Sequence, residues 1–270
     1  MASLPADAPL LSTKSGRVRM ARRLARRAFR AEQGLFLAEG PQAVREALEV
    51  RGCVRDVFAL PGLHEDLRAA AAGVPWHLVD EGAMDSLTET VHPQGVVAVC
   101  GQVDVDLDVL LEPGPRLLAV CADIRDPGNA GTVIRCADAA GAGGVVLAGD
   151  SVDPYNGKAV RASVGSLFHL PVSVTRDTAD AVRRVQAGGL TVLAADGAGE
   201  LDLDDAADNG LLARPTAWLF GNEARGLPDD LAALADHRVR IPIHGRAESL
   251  NLATAAAVCL YASARAQRRS

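Results

Sequence analysis

Aromatic residues are scarce in this sequence: Phe, Trp and Tyr together make up 3% of its 270 residues. Stacking of bases on aromatic side chains therefore cannot dominate any nucleic-acid recognition by this chain. The five cysteines include no CxxC pair and are odd in number. This pattern argues against a zinc site or a disulfide framework and favours reduced thiols in a cytoplasmic protein. We expect no metal site.

Long apolar runs are missing as well. The longest weakly polar stretch, residues 250–264, is interrupted by Asn251, Thr254 and Ser263, and it is too short and too polar for a transmembrane helix. The first residues lack a charged segment followed by an apolar one, so no secretory signal is predicted. We expect a soluble protein without a membrane partner.

The fingerprints of several enzyme classes are also absent. No GxGxxG follows a predicted strand and opens a helix, which removes the main support for a dinucleotide enzyme. Lys158 is followed by alanine instead of serine or threonine, so there is no phosphate-binding P-loop. Neither HExxH nor GxSxG occurs, and the six histidines are scattered singly. A nucleotide-dependent α/β enzyme therefore has little support.

The formal net charge of −6 does not resemble that of a nucleic-acid-binding protein. However, residues 1–30 carry eight cations against the single acid Asp7, a balance of +7 that leaves −13 for the rest of the chain. Between Arg17 and Arg30 the cations recur every three or four residues with apolar residues among them, which predicts a helix with a basic face. Such a face is either solvated or in contact with a polyanion.

The N-terminal hundred residues have the pattern of a small α/β domain. A helical pattern spans residues 41–50, and strands are predicted at 54–60, 74–79 and 95–101. The acidic stretch 102–115 ends in Pro-Gly-Pro, as linkers often do. We predict a first domain at residues 1–105, a linker at 106–115 and a second domain at 116–270.

Beyond residue 116 the apolar runs become short, continuous and flanked by glycine. The predicted strands are 117–124, 143–149, 170–174, 190–197, 216–222 and 237–243. Helical patterns separate them at 130–142, 157–167, 179–187, 228–235 and 249–268. Continuous apolar strands that alternate with helices indicate a parallel sheet covered on both faces. Functional side chains should therefore lie where loops leave the carboxyl ends of the strands.

The loop after the strand at 117–124 contains turn-forming residues, DPGN at 126–129, and opens a predicted helix. Asn129 thus lies at or beside a helix N-terminus, where free backbone N–H groups favour anionic or polar ligands. Arg135 follows about one and a half turns later. Helix capping by Asn129 and a surface ion pair of Arg135 would explain the same residues.

Two further loops carry polar residues. In the loop at 221–226, GNEARG, the glycines let the backbone approach a ligand closely, next to Glu223. In the segment 241–258, Ser249 is predicted as the N-cap of the last helix, with Asn251 in the first turn. Each loop alone is ambiguous, but three of them at strand carboxyl ends in one domain indicate a site.

The order of these motifs resembles the SpoU (TrmH-type) branch of the SPOUT RNA methyltransferases. The matching segments are DPGNAGTVIR (126–135), LFGNEARGL (219–227) and IPIHGRAESLNLATAAAV (241–258), within a match that covers 116–265. From residues 22–48 onward, the N-terminal part is similar to the small, ribosomal-protein-like α/β RNA-binding domain of many members. The resemblance implies an α/β trefoil-knot SPOUT domain, S-adenosylmethionine as cofactor and an obligate homodimer.

The resemblance also implies which positions form the site. The residues that match the family's polar catalytic set are Asn129, Arg135, Glu223, Ser249 and Asn251. Those that match contacts to the methyl donor are Gly221, Ile241 and Leu250, with Leu193 expected in the same pocket. The cations expected to contact RNA are Arg17, Arg19, Arg22, Arg23, Arg26, Arg27 and Arg30. Arg161 resembles an arginine that some antibiotic-resistance members place near the site, and it is added to the RNA contacts.

The reaction implied by the resemblance is transfer of the sulfonium methyl group to a ribose 2′-hydroxyl of RNA. The family's usual mechanism gives deprotonation of that hydroxyl to the arginine matching Arg135, but a guanidinium is effectively always protonated. We expect Arg135 to stay cationic and to stabilise the developing alkoxide, while an RNA phosphate or a water takes the proton. The basic N-terminal helix would supply salt-dependent phosphate contacts.

Ribosomal RNA is the favoured substrate because of the additional N-terminal domain. A transfer-RNA methyltransferase with the same chemistry is an alternative. A catalytically inactive RNA-binding or ribosome-assembly factor is a third hypothesis, which the complete polar set disfavours.

Overall fold

The computed structural model describes residues 10–269; residues 1–9, which include Asp7, and Ser270 lie outside the described part. The chain forms two compact units. The N-terminal unit runs to Val103 and includes the later segment Tyr155–Phe168, whereas the C-terminal unit comprises Asp104–Pro154 and the chain from His169 onward. Within the described residues, no helix combines the length and the apolar composition needed to span a bilayer.

The helices and strands follow one another in an order that alternates throughout most of the chain. In chain order they are α1 (Gly16–Arg22), α2 (Arg27–Gln33), β1 (Leu35–Glu39), α3 (Pro41–Glu49), β2 (Val54–Ala59), α4 (Glu65–Ala70), β3 (Trp76–Leu78), α5 (Glu81–Leu87), β4 (Val96–Gly101), α6 (Leu107–Leu111), β5 (Leu117–Ala122), α7 (Pro127–Ala140), β6 (Gly144–Ala148), α8 (Gly157–Ser163), β7 (Val172–Thr175), α9 (Thr178–Ala187), β8 (Thr191–Ala195), β9 (Leu201–Asp202), α10 (Leu203–Asp208), β10 (Thr216–Phe220), α11 (Asp229–Ala232), β11 (His237–Arg240) and α12 (Leu252–Gln267). Short 3₁₀ turns lie at Arg23–Ala25, Ser166–Phe168 and Leu211–Ala213.

The basic segment is not the single helix predicted from its spacing. It is broken at Arg26, whose backbone is extended (φ −93°, ψ 126°), so that α1 and α2 are separate short helices. The guanidinium of Arg30 fills the bend and donates hydrogen bonds of 2.9 Å to the carbonyl oxygens of Leu24 and Ala25. These bonds satisfy backbone groups that a continuous helix would have paired internally. Spacing alone could not reveal the break, because a buried side chain stabilises it.

Four strands form the sheet of the N-terminal unit, in the order β1-β4-β2-β3. Strand β4 is antiparallel to both β1 and β2, and β3 is parallel to β2. Apolar side chains from α1, α2 and α5, among them Val18, Phe29 and Met84, pack in one cluster with Phe58 of β2. Burial of this apolar face is what holds two short, arginine-rich helices in place.

The predicted linker is part of the C-terminal core. Residues 107–111 form α6, and its buried Leu107 and Leu110 pack in the same cluster as Leu118 of β5. Conversely, the segment Tyr155–Phe168 belongs to the N-terminal unit, where the ring of Tyr155 lies 4.6 Å from that of Phe36. The contacts therefore divide the chain differently from the predicted ranges 1–105, 106–115 and 116–270, because contacts distant in sequence decide which unit a segment joins.

The C-terminal unit contains the predicted parallel sheet. Its seven strands have the order β7-β6-β5-β10-β8-β11-β9, and every neighbouring pair is parallel. Strands β5, β6 and β10 are buried along their full length. Because β10 lies between β5 and β8, and β11 lies beside β8, the loops that follow these strands leave the same edge of the sheet.

Candidate active site

A cleft of about 330 Å³ opens at this edge of the C-terminal sheet. Its lining includes Gly221, Ile241 and Leu250, the three positions that the motifs assign to the methyl donor. Glu223 and Ser249 of the predicted polar set line the same cleft. Residues from the second and third motifs therefore share one cavity, as their positions at the carboxyl ends of parallel strands predict.

Glycine at position 221 is required by the close approach of its own loop. A Cβ there would lie 2.3 Å from the carbonyl carbon of Gly226. The turn is closed by two hydrogen bonds between Asn222 and Gly226, from amide to carbonyl in each direction, of 3.0 and 2.8 Å. Gly226 itself has φ +68°, which glycine adopts without strain. This tight turn fixes the position of Glu223 at the mouth of the cleft.

Glu223 joins the second motif to the first. One of its carboxylate oxygens accepts hydrogen bonds from the backbone amide of Asp126 (3.0 Å) and from Nδ2 of Asn129 (3.2 Å). The other accepts from the backbone amide of Arg125 at 3.1 Å. Glu223 thus receives three donors from the loop that opens α7, a geometry suited to an ionised carboxylate.

These donors also lower the pKa of Glu223. Partial burial raises the pKa, but the hydrogen bonds from the amides of Arg125 and Asp126, together with that from Asn129, bring it below the ordinary value for glutamate. The side chain is therefore ionised at neutral pH. We refer to Glu223, Asn129 and Asn251 as the polar cluster.

Asn251 completes the polar cluster. Its Nδ2 donates to Oδ1 of Asn129 at 3.2 Å, so the third motif is tied to the first. Its Oδ1 accepts from the backbone amides of Ala253 and Thr254, which makes Asn251 the N-cap of α12. The prediction that Ser249 is this N-cap is therefore wrong, because Asn251 reaches the free amides of the first turn. Ser249 is exposed and lies in the cleft lining instead.

Within the described part of the chain, no polar contact holds the segment before α12. Residues 241–250 make no hydrogen bond or ion pair with any other described residue of the chain. Seven of its residues, 243–249, are exposed, while Ile241 and Leu250 are half-buried and line the cleft. Its backbone groups are consequently available to a ligand.

Four predicted site residues are absent from the cleft lining: Asn129 and Asn251, which belong to the polar cluster, and Arg135 and Leu193. Arg135 is exposed on α7 and forms no hydrogen bond or ion pair with the described residues. Leu193 is fully buried in the middle of β8, and the residues that line the cleft lie further along, at Ala195–Gly197. Leu193 therefore lies beneath the cleft surface, because β8 continues for two residues beyond it before reaching the edge of the sheet.

Sequence reasoning missed Asp196, which lines the cleft. Arg238 of β11 donates to its Oδ2 from Nη2 at 2.6 Å and from Nε at 3.0 Å, so the carboxylate is fixed in direction. The signal that could have revealed it is the pair Asp-Gly directly after a continuous apolar strand. Such a pair marks a turn at the carboxyl end of a strand.

Comparison with known proteins identifies the family. The model of the SpoU rRNA Methylase family matches residues 116–261. The chain belongs to this family. A second model, the MRM3-like substrate binding domain, matches residues 16–98. The resemblance to SpoU-type enzymes that the three motifs suggested is thereby confirmed, and so is the presence of a separate N-terminal α/β domain.

Individual relatives agree with this assignment along nearly the whole chain. The "23S rRNA (guanosine(2553)-2'-O)-methyltransferase RlmP" of Bacillus subtilis is 33% identical over 255 residues, which are 93% of this chain and 96% of that protein. The SpoU methyltransferase AviRb from Streptomyces viridochromogenes, solved in complex with AdoMet, has a TM-score of 0.83 at 31% identity and covers 95% of this chain and 100% of its own. The AdoMet-bound rRNA methyltransferase from Sinorhizobium meliloti has a TM-score of 0.79 at 32% identity, with 95% and 98% covered.

In the N-terminal unit of this SpoU-type protein, the predicted RNA-binding arginines fall into two groups, which differ in their exposure to solvent. The exposed ones are Arg17, Arg19, Arg22, Arg23, Arg26 and Arg27. Arg30 is only 3% exposed and hydrogen-bonded to backbone carbonyls, so it cannot contact RNA. Arg161 donates to the carboxylates of Glu39 (2.9 Å) and Glu89 (3.2 Å). The assignment of Arg30 is corrected, because it stabilises the N-terminal unit, whereas RNA contact by the ion-paired Arg161 stays a prediction.

Proposed function

We propose that this protein transfers a methyl group from S-adenosylmethionine to a ribose 2′-hydroxyl of ribosomal RNA. The observation that carries the proposal is the polar cluster: Glu223, Asn129 and Asn251 come from three separate motifs and are joined by hydrogen bonds beside one cleft. A fold maintained only for RNA binding would have no need to connect these three loops.

The cleft has the chemistry needed to hold S-adenosylmethionine. Ile241 and Leu250 offer apolar contacts for the adenine, and the free backbone groups of residues 241–250 can bind its polar edge. The carboxylate of Asp196 suits the cationic parts of the ligand. When bound, the cofactor supplies an electrophilic methyl group on a sulfonium.

Orientation is the main contribution expected of the protein, because the acceptor oxygen must approach the methyl carbon in line with the sulfur. Asn129 and Asn251 hold each other at 3.2 Å, and Glu223 fixes Asn129. These residues would position the ribose. Arg135 stays cationic and stabilises the alkoxide as it forms, and the hydroxyl proton passes to an RNA phosphate or to a water.

The active enzyme is a homodimer in this proposal. Helix α12 exposes two large apolar side chains, Val258 (37% exposed) and Tyr261 (53% exposed). Covering them with a second copy would remove apolar surface from water. Arg135 lies on α7, which packs against α12 but contributes nothing to the cleft lining of its own chain. A dimer would let Arg135 of one copy serve the cleft of the other.

Ribosomal RNA is proposed as the substrate because the N-terminal unit matches a substrate-binding domain model and relatives such as RlmP are named as 23S rRNA methyltransferases.

The described cysteines are all free, and four of the five are buried, which agrees with a reducing cytoplasm.

The test is incubation of the protein with unmodified total RNA and labelled S-adenosylmethionine, followed by mapping of 2′-O-methyl positions. We expect label in ribosomal RNA at one defined ribose, and none with the Asn129→Ala variant. Label confined to transfer RNA would show that transfer RNA is the substrate instead of ribosomal RNA. No label in any RNA would contradict the proposal and favour an inactive RNA-binding factor.

A further inference from the structure

The N-terminal unit contains a second cleft, of about 320 Å³, whose function the proposed methyl transfer does not explain. It lies between α1, α2 and the sheet. Its apolar walls include Met20, Phe29 and Phe58, and its polar edge is formed by Arg17, Gln33 and Asp56. We call it the arginine-rimmed cleft. Its volume is at the lower end for small-ligand sites and suits one planar group.

The polar edge pairs an acceptor with a donor. Asp56 accepts a hydrogen bond from Nε2 of His77 at 2.7 Å, and Nη1 of Arg17 lies 3.6 Å from the same oxygen, Oδ1. No described residue donates a hydrogen bond to Oδ2. The side chain of Asp56 is 29% exposed, so this second oxygen can accept from a ligand while His77 holds the carboxylate in place. Arg17, 63% exposed, can donate beside it.

The surroundings of the cleft favour a polyanion. Six exposed arginines, from Arg17 to Arg27, lie on residues 16–33, where Glu32 is the only acid. Arg23 lies over the ring of Phe29, with its guanidinium carbon 3.9 Å from the ring centroid, so cationic and apolar surfaces meet at the cleft. An apolar slot with a hydrogen-bonding edge, formed by helices that carry exposed arginines, matches a nucleotide chain that inserts a base and leaves its phosphates outside.

We propose that the arginine-rimmed cleft binds one unpaired nucleobase of the RNA, and that the base carries an exocyclic amino group. The amino group donates to Asp56, as a carboxylate accepts from N4 of cytosine. The flanking phosphates contact Arg19, Arg22 and Arg23. The inference rests on the proposed function, because it requires an RNA substrate, and it adds that the N-terminal unit reads a base as well as the backbone.

The test compares two RNA 12-mers, oligocytidine and oligouridine, in binding to the full-length protein by fluorescence anisotropy at constant salt. The two have the same charge and nearly the same size, and they differ at the amino group. We expect oligocytidine to bind about tenfold more tightly, the discrimination of one good base contact. Equal affinities would overturn the inference.

The variant Asp56→Asn separates base recognition from electrostatics. It removes a negative charge beside the arginines, so phosphate attraction alone predicts unchanged or tighter binding of both oligomers. The inference predicts that the preference for oligocytidine is lost. Asp66→Asn is the matched control, because Asp66 is an exposed carboxylate paired with Arg45 outside the cleft. Retention of the preference in Asp56→Asn would overturn the inference.

A second variant tests the cleft independently of whether Asp56→Asn folds correctly. Met20 is 48% exposed and lines the cleft, so Met20→Ala shortens one wall without opening the core. It should weaken oligocytidine binding severalfold, whereas Val91→Ala, at an 88% exposed position outside the cleft, should not.

If ribosomal RNA is methylated but the two oligomers bind alike, only the cleft assignment fails. If no RNA is methylated, the proposed function fails.

Discussion

The carboxylate of Glu223 is the best point at which to test whether the polar cluster acts in catalysis. In Glu223→Gln one oxygen is replaced by an NH₂ group, which cannot accept from the amide N–H that faced it. The variant therefore loses at least one of three hydrogen bonds to a charged acceptor. Such a bond contributes about 1.5–3 kcal/mol when buried. Since Glu223 is largely exposed, we expect about 1–2 kcal/mol here.

A loss of that size corresponds to a five- to thirtyfold lower rate, at about 1.4 kcal/mol for each factor of ten. The assay is the initial rate of methyl transfer to the mapped ribosomal RNA, with kcat and KM separated. We expect the loss mainly in kcat, because the disturbed groups position the ribose through Asn129. Affinity for S-adenosylmethionine, measured by calorimetry, should change less than threefold.

The control is Glu112→Gln, the same chemical change at an exposed glutamate just after α6. It should leave both the rate and the cofactor affinity unchanged. If Glu223→Gln were within twofold of the unmodified enzyme, the polar cluster would not be needed for catalysis. If it abolished cofactor binding instead, Glu223 would act on the cofactor directly and the positioning argument would be wrong.

Four further predictions follow from the geometry. Gly221→Ala should reduce affinity for S-adenosylmethionine more than about tenfold by calorimetry, since its Cβ would overlap backbone of the same turn; near-normal affinity would contradict this. Arg135→Ala and Asn251→Ala should each be inactive alone, but mixed under dimer-exchange conditions they should recover up to about a quarter of normal activity, and no recovery would refute a shared site. Arg30→Met should lower the free energy of unfolding by about 2–4 kcal/mol in urea, because two carbonyls lose a buried donor; an unchanged midpoint would refute that role. Folding lowers the pKa of Glu223, so the contribution of its carboxylate to stability is fully present above the ordinary glutamate pKa. That contribution is lost only as the pH falls through the lower pKa of the folded protein. The pH–rate profile should therefore show no acid limb in the ordinary glutamate range.

The layout of the C-terminal unit was predictable from the sequence, and the reason is physical. Its strands are buried on both faces, so each is a continuous apolar run that ends at a polar loop. Parallel strands place all such loops at one edge. Glu223 and Asn251 could therefore be assigned to the same site as Asn129 from the sequence alone. They are 94 and 122 residues away from Asn129 along the chain.

The arginines show where such reasoning fails. Arg30 and Arg27 are indistinguishable by charge and spacing, yet one is buried in a helix break and the other is exposed. Arg161 is paired with Glu39 and Glu89, which precede it by 122 and 72 residues. Hydrophobic periodicity reports which face of an element is buried, but it contains no information about which distant carboxylate or carbonyl meets a cation.

The insertion of β10 between β5 and β8 has a consequence for the biosynthesis of the protein. Its pairing partners are distant along the chain, and the cluster beside it needs Asn251. Contacts of such high sequence separation form slowly, and a nascent chain cannot make them until the later residues have left the ribosome. The N-terminal unit, in contrast, needs only the chain up to Val103 and the segment Tyr155–Phe168, so all of its residues are synthesised earlier. During translation the capacity to hold RNA would therefore precede the capacity to methylate it.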